Sequence, residues 1–291
     1  MRRRPTLLII GCGDVGVRVI RHLGAHWRVI ALTSTPERRD DLRAAGAEPL
    51  VGNLDDPSTL WRLGALADAV LHLAPPPPQG RTDPRTAALL RALARGGRTR
   101  RLVYASTTGV YGDCAGAHMD ETRPVSPQTD RAWRRVDAEA RLRHFGRASG
   151  CAVTVLRVPG IYALDRAGGD PRDRVRRGTP VLRPQDDVHT NHIHADDLAR
   201  ACIRALHAGR PQRVVNVCDG TELAMGDYFD LVADLWGLPR PPRLSRAEAS
   251  MQMSPVVMSF LSESRRLDND RLRRELRLSL RYPTVREGLR A

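Results

Sequence analysis

Gly11-Cys12-Gly13-Asp14-Val15-Gly16 is the stretch whose residue types and spacing speak most directly of chemistry. Glycines in the order G-x-G-x-x-G can hold a phosphate against bare backbone. Gly11 permits a tight turn, Gly13 lets the main chain approach a diphosphate, and Gly16 lets a helix lie close on a strand. Both neighbours are present: Thr6-Leu7-Leu8-Ile9-Ile10 reads as a buried strand before the glycines, and Val19, Ile20 and Leu23 recur at helical spacing after them. A helix beginning there offers unpaired N–H groups and a positive dipole end to an anion. The ligand this implies is a dinucleotide, with Cys12, Asp14 and Val15 in the gripping loop.

Two further constellations bear on the ligand. Enzymes that read an unmodified nicotinamide-cofactor ribose place an Asp or Glu about 20 residues beyond the glycines. Thr33 and Ser34 occupy that place here. No acid repels a 2′-phosphate, and Ser34, Arg38 or Arg39 can bind one, so the expected cofactor is NADP, with NAD the alternative. The second constellation, His192-x-His194-x-Asp196-Asp197, is similar to the ligand run of binuclear metallohydrolases, but its last position is Asp rather than His. No further histidines fall at ligand spacing, and two acids in a row suit a helix N-terminus, so no metal is expected.

The elements that must position these residues alternate as strand and helix. A second strand spans residues 27–33, and Ser34-x-x-Glu37 with Pro36 reads as a capping box for the next helix. Val51 to Asp56 reads as a strand end, followed by a helix from Pro57. Val70 to Ala74 is a fourth strand running into Pro75-Pro76-Pro77-Pro78, a stiff loop at the carboxyl edge of the sheet. A helix over 84–95 and a strand over 102–106 follow. The alternation predicts an α/β fold, a doubly wound parallel sheet with right-handed crossovers. Further on, Asn216 to Gly220 reads as a short strand and turn before a helix over 226–236, and Pro239, Pro241 and Pro242 mark a break. Met251, Met253, Pro255, Met258, Phe260 and Leu261 make an apolar stretch that can wall a substrate pocket or a dimer surface, with core filling the commoner role for methionine. Residues 265–280 read as a basic helix packing Leu267, Leu272, Leu276 and Leu280 on one face.

Composition narrows the function classes. A chain of 291 residues that is 41% hydrophobic can bury a full core. Its formal charge of +14 comes from 47 basic residues, all of them arginine. They are scattered and often adjoin acids, and only 4% of residues are aromatic, so the clustered patch and stacking platforms of a nucleic-acid binder are missing. Five cysteines, odd in number and far apart, suggest a reducing compartment without disulfides. Arg2-Arg3-Arg4 before an apolar run imitates a secretion signal, but Leu7 to Ile10 is too short for a signal core, so a cytoplasmic protein is expected, with no membrane span.

Beyond the glycines, Tyr104-Ala105-Ser106-Thr107-Thr108-Gly109-Val110-Tyr111-Gly112 resembles the extended short-chain dehydrogenase/reductases, the group that contains nucleotide-sugar epimerases and dehydratases. Leu156 to Tyr162 is similar to that family's strand and loop against the nicotinamide, and Asn191 to Ala199 to its step beneath the substrate lobe. The resemblance spans nearly the whole chain and is strongest to atypical, YeeZ-like bacterial members. It implies a Rossmann-type domain over residues 1–160, joined by strands from about 188–219, and a smaller C-terminal substrate lobe over 161–187 and 239–291. It also implies cofactor contacts at Asn53 and Leu54 near the adenine, and at Leu73, Ala74 and Pro75 toward the second ribose. Ser106, Pro159 and Gly160 fall beside the nicotinamide.

The family's chemistry uses a Ser or Thr to polarise the substrate oxygen, a Tyr as acid/base, and a Lys one helical turn later. Thr107 takes the first position. In the next helix, which Ser126-Pro127 opens, Arg131 stands where the Tyr belongs and Arg135 where the Lys belongs. Arginine stays protonated and cannot accept a proton, so Arg131 does not replace a phenol, although Arg135 can still hold a ribose or phosphate. The alternative for the pair is a solvated charged face shared with Glu139. Tyr111 is the nearest phenol in sequence, with Tyr162 and His118 as weaker candidates. The implied function is an atypical NAD(P)-binding oxidoreductase or epimerase-like protein acting on an unknown carbonyl or hydroxyl. A non-catalytic dinucleotide sensor is the rival reading. A homodimer through the helices carrying Arg91 and Arg135 is the partner the resemblance implies.

Overall fold

Thr6–Ile10 is buried at every residue, the environment of a central strand in a parallel sheet covered on both faces. The structure, a computed structural model, describes residues 4–290, so Arg2 and Arg3 of the N-terminal basic run lie outside the described residues.

In chain order the elements are β1 (Thr6–Ile10), α1 (Asp14–Leu23), β2 (Arg28–Thr33), α2 (Arg39–Ala44), β3 (Glu48–Val51), α3 (Leu63–Leu66), β4 (Ala69–His72) and α4 (Pro84–Gly96). There follow β5 (Arg101–Thr107), β6 (His118–Met119), α5 (Asp130–Ser149), β7 (Ala152–Val158), β8 (Gly160–Tyr162), α6 (Pro171–Arg176) and β9 (Val181–Leu182). The chain ends with β10 (His192–His194), α7 (Ala195–Ala208), β11 (Arg213–Asn216), α8 (Met225–Leu235), β12 (Arg243–Leu244), α9 (Arg246–Gln252), α10 (Pro255–Phe260), β13 (Arg266–Leu267), α11 (Asp270–Arg274) and α12 (Val285–Gly288).

Seven parallel strands form the main sheet in the order β11-β7-β5-β4-β1-β2-β3. The chain winds outward in both directions from the β1–β4 pair, which opens a crevice at their carboxyl ends. One face of the sheet is covered by α1 and α7 through Val19, Ile20, Leu198 and Cys202. The other is covered by α3, α4 and α5 through Leu63, Leu89, Leu93 and Leu142. A smaller lobe has its own clusters, in which Phe229 and Val232 of α8 pack with Val175 of α6.

The expected doubly wound sheet is present, with differences at its margins. Of the strands expected from residues 188–219, β11 joins the main sheet beside β7, whereas β10 pairs with β8 in a separate two-stranded sheet. The region from Pro239 onward does not belong wholly to the lobe. Leu272, Leu276 and Leu278 are buried in the same cluster as Leu7 and Ile9 of β1. Nor is 265–280 one helix. Only Asp270–Arg274 is helical, and the chain then reverses through Arg277, at φ +51°, so Leu278 N–H donates to Leu272 O. The helix expected from Pro57 is a short 3₁₀ turn over Pro57–Leu60 followed by α3.

Two expected helix starts also shift. Ser34 forms no capping box, because Thr33 Oγ1 accepts from Thr35 N and a 3₁₀ turn at Pro36–Arg38 leads into α2. The helix after Ser126-Pro127 begins at Asp130, where the Thr129 side chain accepts from Ala132 N. All five cysteines are buried and free. Among the described residues no helix is long and apolar enough to cross a membrane.

Candidate active site

Three adjoining cavities follow the carboxyl ends of β1, β2, β4, β5 and β7. The first, about 490 Å³, lies over β2 and is lined by Cys12, Thr33, Ser34, Arg38, Asn53, Leu54, Ala74 and Pro75. Gly11, Gly13 and Leu73 line both this cavity and a second, of about 320 Å³, which Asp14, Val15, Gly16, Ser106 and Arg135 also line. Thr107 and Pro159 in turn line both the second cavity and a third, of about 430 Å³, together with Arg131 and Gly160. The structure thus brings most of the sequence-derived candidates into one continuous cleft.

The glycine loop fits a diphosphate group by group. Gly11 has φ +82°, and a Cβ on it would stand 2.5 Å from Ala74 N, so this position admits only glycine without a shift of the segment after β4. A Cβ on Gly13 would meet nothing within 4 Å, so the backbone there is open to an incoming group. On Gly16 it would stand 2.9 Å from Cys12 Sγ, which keeps α1 close under the loop. Arg38 reaches back over this loop, donating to Cys12 O at 3.0 Å, and lines the first cavity together with Ser34. The carboxylate in that cavity, Asp55, is held by Arg85 through bonds of 2.7 and 2.6 Å.

The crossing that fixes α1 is ionic. Arg18 is buried and binds Asp14 on its own helix, Asp196 on α7 at 2.6 Å and Asp165 after β8 at 2.5 Å. Arg166, the next residue, lines the second cavity with its Nε 3.3 Å from Asp14. Neither Arg166 nor Arg85 carries a local sequence signal, because each acquires its place through a chain crossing.

On α5, Arg131, Arg135 and Glu139 fall at four-residue intervals and share one face toward the end of β5. They do not form the solvated trio that the sequence allowed. Glu139 is fully buried, accepting from Ser106 Oγ at 2.7 Å and from Arg157 at 2.8 and 3.2 Å. Ser106 therefore spends its hydroxyl proton inside the protein. Arg135 donates to Tyr104 Oη at 2.9 Å and to Ala105 O at 3.0 Å, and it faces the second cavity. Tyr104, a phenol with Arg135 as its cationic neighbour, is wholly buried and lines none of these three cavities, and burial pushes it up to about 12. Arg131 faces the third cavity instead.

Thr107 is half-buried at the junction, and its Oγ1 accepts from Gly109 N at 3.3 Å. Its proton has no acceptor among the described residues, so it is free to donate to a ligand oxygen. Tyr111, expected as a proton-handling phenol, is corrected to a structural role. It is 1% exposed, donates to Asn216 Oδ1 at 2.8 Å and lies under Arg157, while burial raises its pKa. The 3₁₀ turn over Thr108–Tyr111 swings it away from the cleft. Tyr162 is also buried, 3.5 Å from Thr284 O, and His118 is exposed near Glu222.

The histidine-acid run is engaged in packing. His194 Nδ1 accepts from Asp196 N, Asp197 accepts from Arg281 and Tyr282 N–H groups, and His192 stacks on Tyr228 at 4.0 Å. His192 also lines the third cavity, with Arg174 and Glu263 from segments for which the sequence offered no assignment, and with Phe229 and Arg265 from stretches read only as helices.

A parallel sheet with its glycine turn at the β1–β4 crevice defines a dinucleotide-binding Rossmann protein. Residues 7–218 match the model of the NAD dependent epimerase/dehydratase family, and this chain belongs to that family. It is 26% identical to the Escherichia coli protein YeeZ over 290 residues, covering 94% of this chain and 95% of the relative. GDP-6-deoxy-D-mannose reductase of Pseudomonas aeruginosa is 28% identical over 270 residues, covering 81% and 83%. The structure of a functionally unknown conserved protein from Silicibacter pomeroyi superposes with a TM-score of 0.81 at 32% identity, over 98% of this chain and 96% of that one.

Proposed function

We propose that this chain is an NADP(H)-dependent oxidoreductase or epimerase-like enzyme that works on a carbonyl or hydroxyl of a small molecule without a Tyr–Lys pair. The observation that carries the reading is the meeting, at Thr107 and Pro159, of the cavity lined by the glycine turn and a separate third cavity. The similarity to a reductase points to the same class of chemistry.

The residues lining the second cavity would hold a nicotinamide cofactor, which when bound would supply the hydride acceptor or donor. The glycine turn and the start of α1 would hold the diphosphate, Arg38 with Ser34 would take the 2′-phosphate, and Arg135 would steady the ribose side. Thr107 would hydrogen-bond the reacting oxygen through its free hydroxyl and polarise it, keeping its own proton. Arg131 cannot exchange a proton at neutral pH, so the proton enters or leaves through water in the cleft.

Titration with NADPH and NADH tests the cofactor, and equal or better NADH affinity defeats the assignment of Arg38. Stopped-flow hydride transfer with aldehydes, ketones and nucleotide sugars tests the chemistry, with Thr107→Ala expected to abolish turnover. A second reading, a non-catalytic dinucleotide sensor, is favoured by Arg135, which is bound to Tyr104 and Ala105 as a fixed strut. Tight cofactor binding with no turnover on any panel member selects the sensor.

A further inference from the structure

In the third cavity two cations lack an acid. Arg131 is half-buried, lies 4.1 Å over the ring of Phe260 and makes one long hydrogen bond, 3.4 Å, to Ser259 Oγ. Arg174 is likewise half-buried, 4.5 Å over Phe229 and 3.4 Å from Pro180 O, with its Nε buried and unpartnered. Among the described residues neither is in ion-pair contact with a carboxylate. Glu263 is the only acid lining the cavity, and it is bound to Arg265 at 2.6 Å. Three guanidinium groups therefore face one carboxylate. Burial draws the pKa of both Arg131 and Arg174 down and outweighs the nearby acids Glu263 and Asp187, the mark of a cation held away from water and only partly compensated. Stacking on a ring leaves the guanidinium edge free, and that edge is the fork that matches an oxyanion.

We propose that this cavity is a receptor for an organic acid, which puts a carboxylate or phosphate oxyanion on Arg131 at the Thr107 end and meets Arg174 elsewhere in the cavity. Its apolar body lies against Phe260, Met225 and Val257. Where a phenol would exchange a proton with a hydroxyl, this chain has a group that receives an anion, and the ligand class changes accordingly. Only the naming of the Thr107 end as the reacting end rests on the proposed function. The anion site itself stands without it.

Calorimetry on the full chain at constant ionic strength and in excess NADPH, which occupies the glycine turn and Arg38, tests the site, with inorganic phosphate and succinate as probes and sorbitol as the neutral control. A phosphate or carboxylate probe is expected to bind and sorbitol is not, and whichever acid binds tighter names the oxyanion. Arg131→Gln and Arg174→Gln should each weaken binding about tenfold, and the double variant should abolish it. Arg131→Lys should restore part of the loss, which separates charge from misfolding. Arg274→Gln, at an exposed position on α11, should leave binding unchanged and so controls for net charge. NADPH affinity should persist in all variants, since neither arginine lines the two dinucleotide cavities. Acid binding that depends on Arg131 and Arg174 in a protein that binds no NADPH would sink the cofactor reading and leave this one standing. Equal probe binding by the double variant, or none by the wild type, overturns it.

Discussion

Asp219 follows β11, is 3% exposed, and is placed behind the third cavity by its own N–H, which donates to His192 O at 2.8 Å. Its Oδ1 accepts from Thr221 N at 2.9 Å, while Oδ2 is buried without a partner. Burial pushes the carboxyl up from 3.8 to about 7. The folded protein therefore keeps a proton there that the unfolded chain releases near pH 4. Below that pH both states are protonated and stability is complete; as the pH climbs toward 7, stability is lost. A shift of about three units corresponds to ~4 kcal/mol once the pH exceeds the folded value. Asp219→Asn keeps the acceptor for Thr221 and never ionises. Urea unfolding of both proteins from about pH 4 to about pH 8 should show them equal at the acid end, with the variant more stable by up to ~4 kcal/mol at the alkaline end. Taking the difference removes the opposing contribution of His192, whose imidazole burial lowers to about 4, so that its stability is lost as pH falls. A difference that stays flat with pH, or a variant weaker at the alkaline end, refutes the reasoning.

Arg38→Gln should weaken NADPH about tenfold while NADH is nearly unchanged; isothermal titration of the two cofactors checks this. Tyr111→Phe leaves Asn216 Oδ1 unpaired and should cost ~1–2 kcal/mol in urea unfolding, with hydride transfer intact. A loss of transfer at full cofactor affinity would return Tyr111 to the chemistry. Glu139→Ala strands Arg157 in the interior and should cost ~3–5 kcal/mol, again read from urea unfolding.

The glycine loop was legible because its signal is local: strand, turn and helix lie within residues 6–23, and each glycine answers to a contact inside that unit. Thr107 was legible through the resemblance, and the structure puts it at the junction of two cavities. Tyr111 was not, since a spacing of four residues from Thr107 says nothing about where a 3₁₀ turn points the ring. Glu139 misled for a related reason. Its helix face reads as charged, but the strand opposite carries Arg157, a partner distant in sequence that turns a surface residue into a buried one. Arg174, Glu263 and Arg265 reach the third cavity only through lobe packing, so no window of sequence announces them. The same holds at the C-terminus, where the leucine periodicity around residue 272 is real but the chain that bears it reverses instead of coiling on.

Leu272, Leu276 and Leu278 complete the layer that begins with Leu7 and Ile9. Residues 272–278 are thus a keystone for residues 7–9: a nascent chain carries its first strand with part of one flank uncovered until those leucines have been made. Cutting the molecule after the first seven β elements would not liberate an autonomous cofactor module, because the missing wall is supplied from the far end.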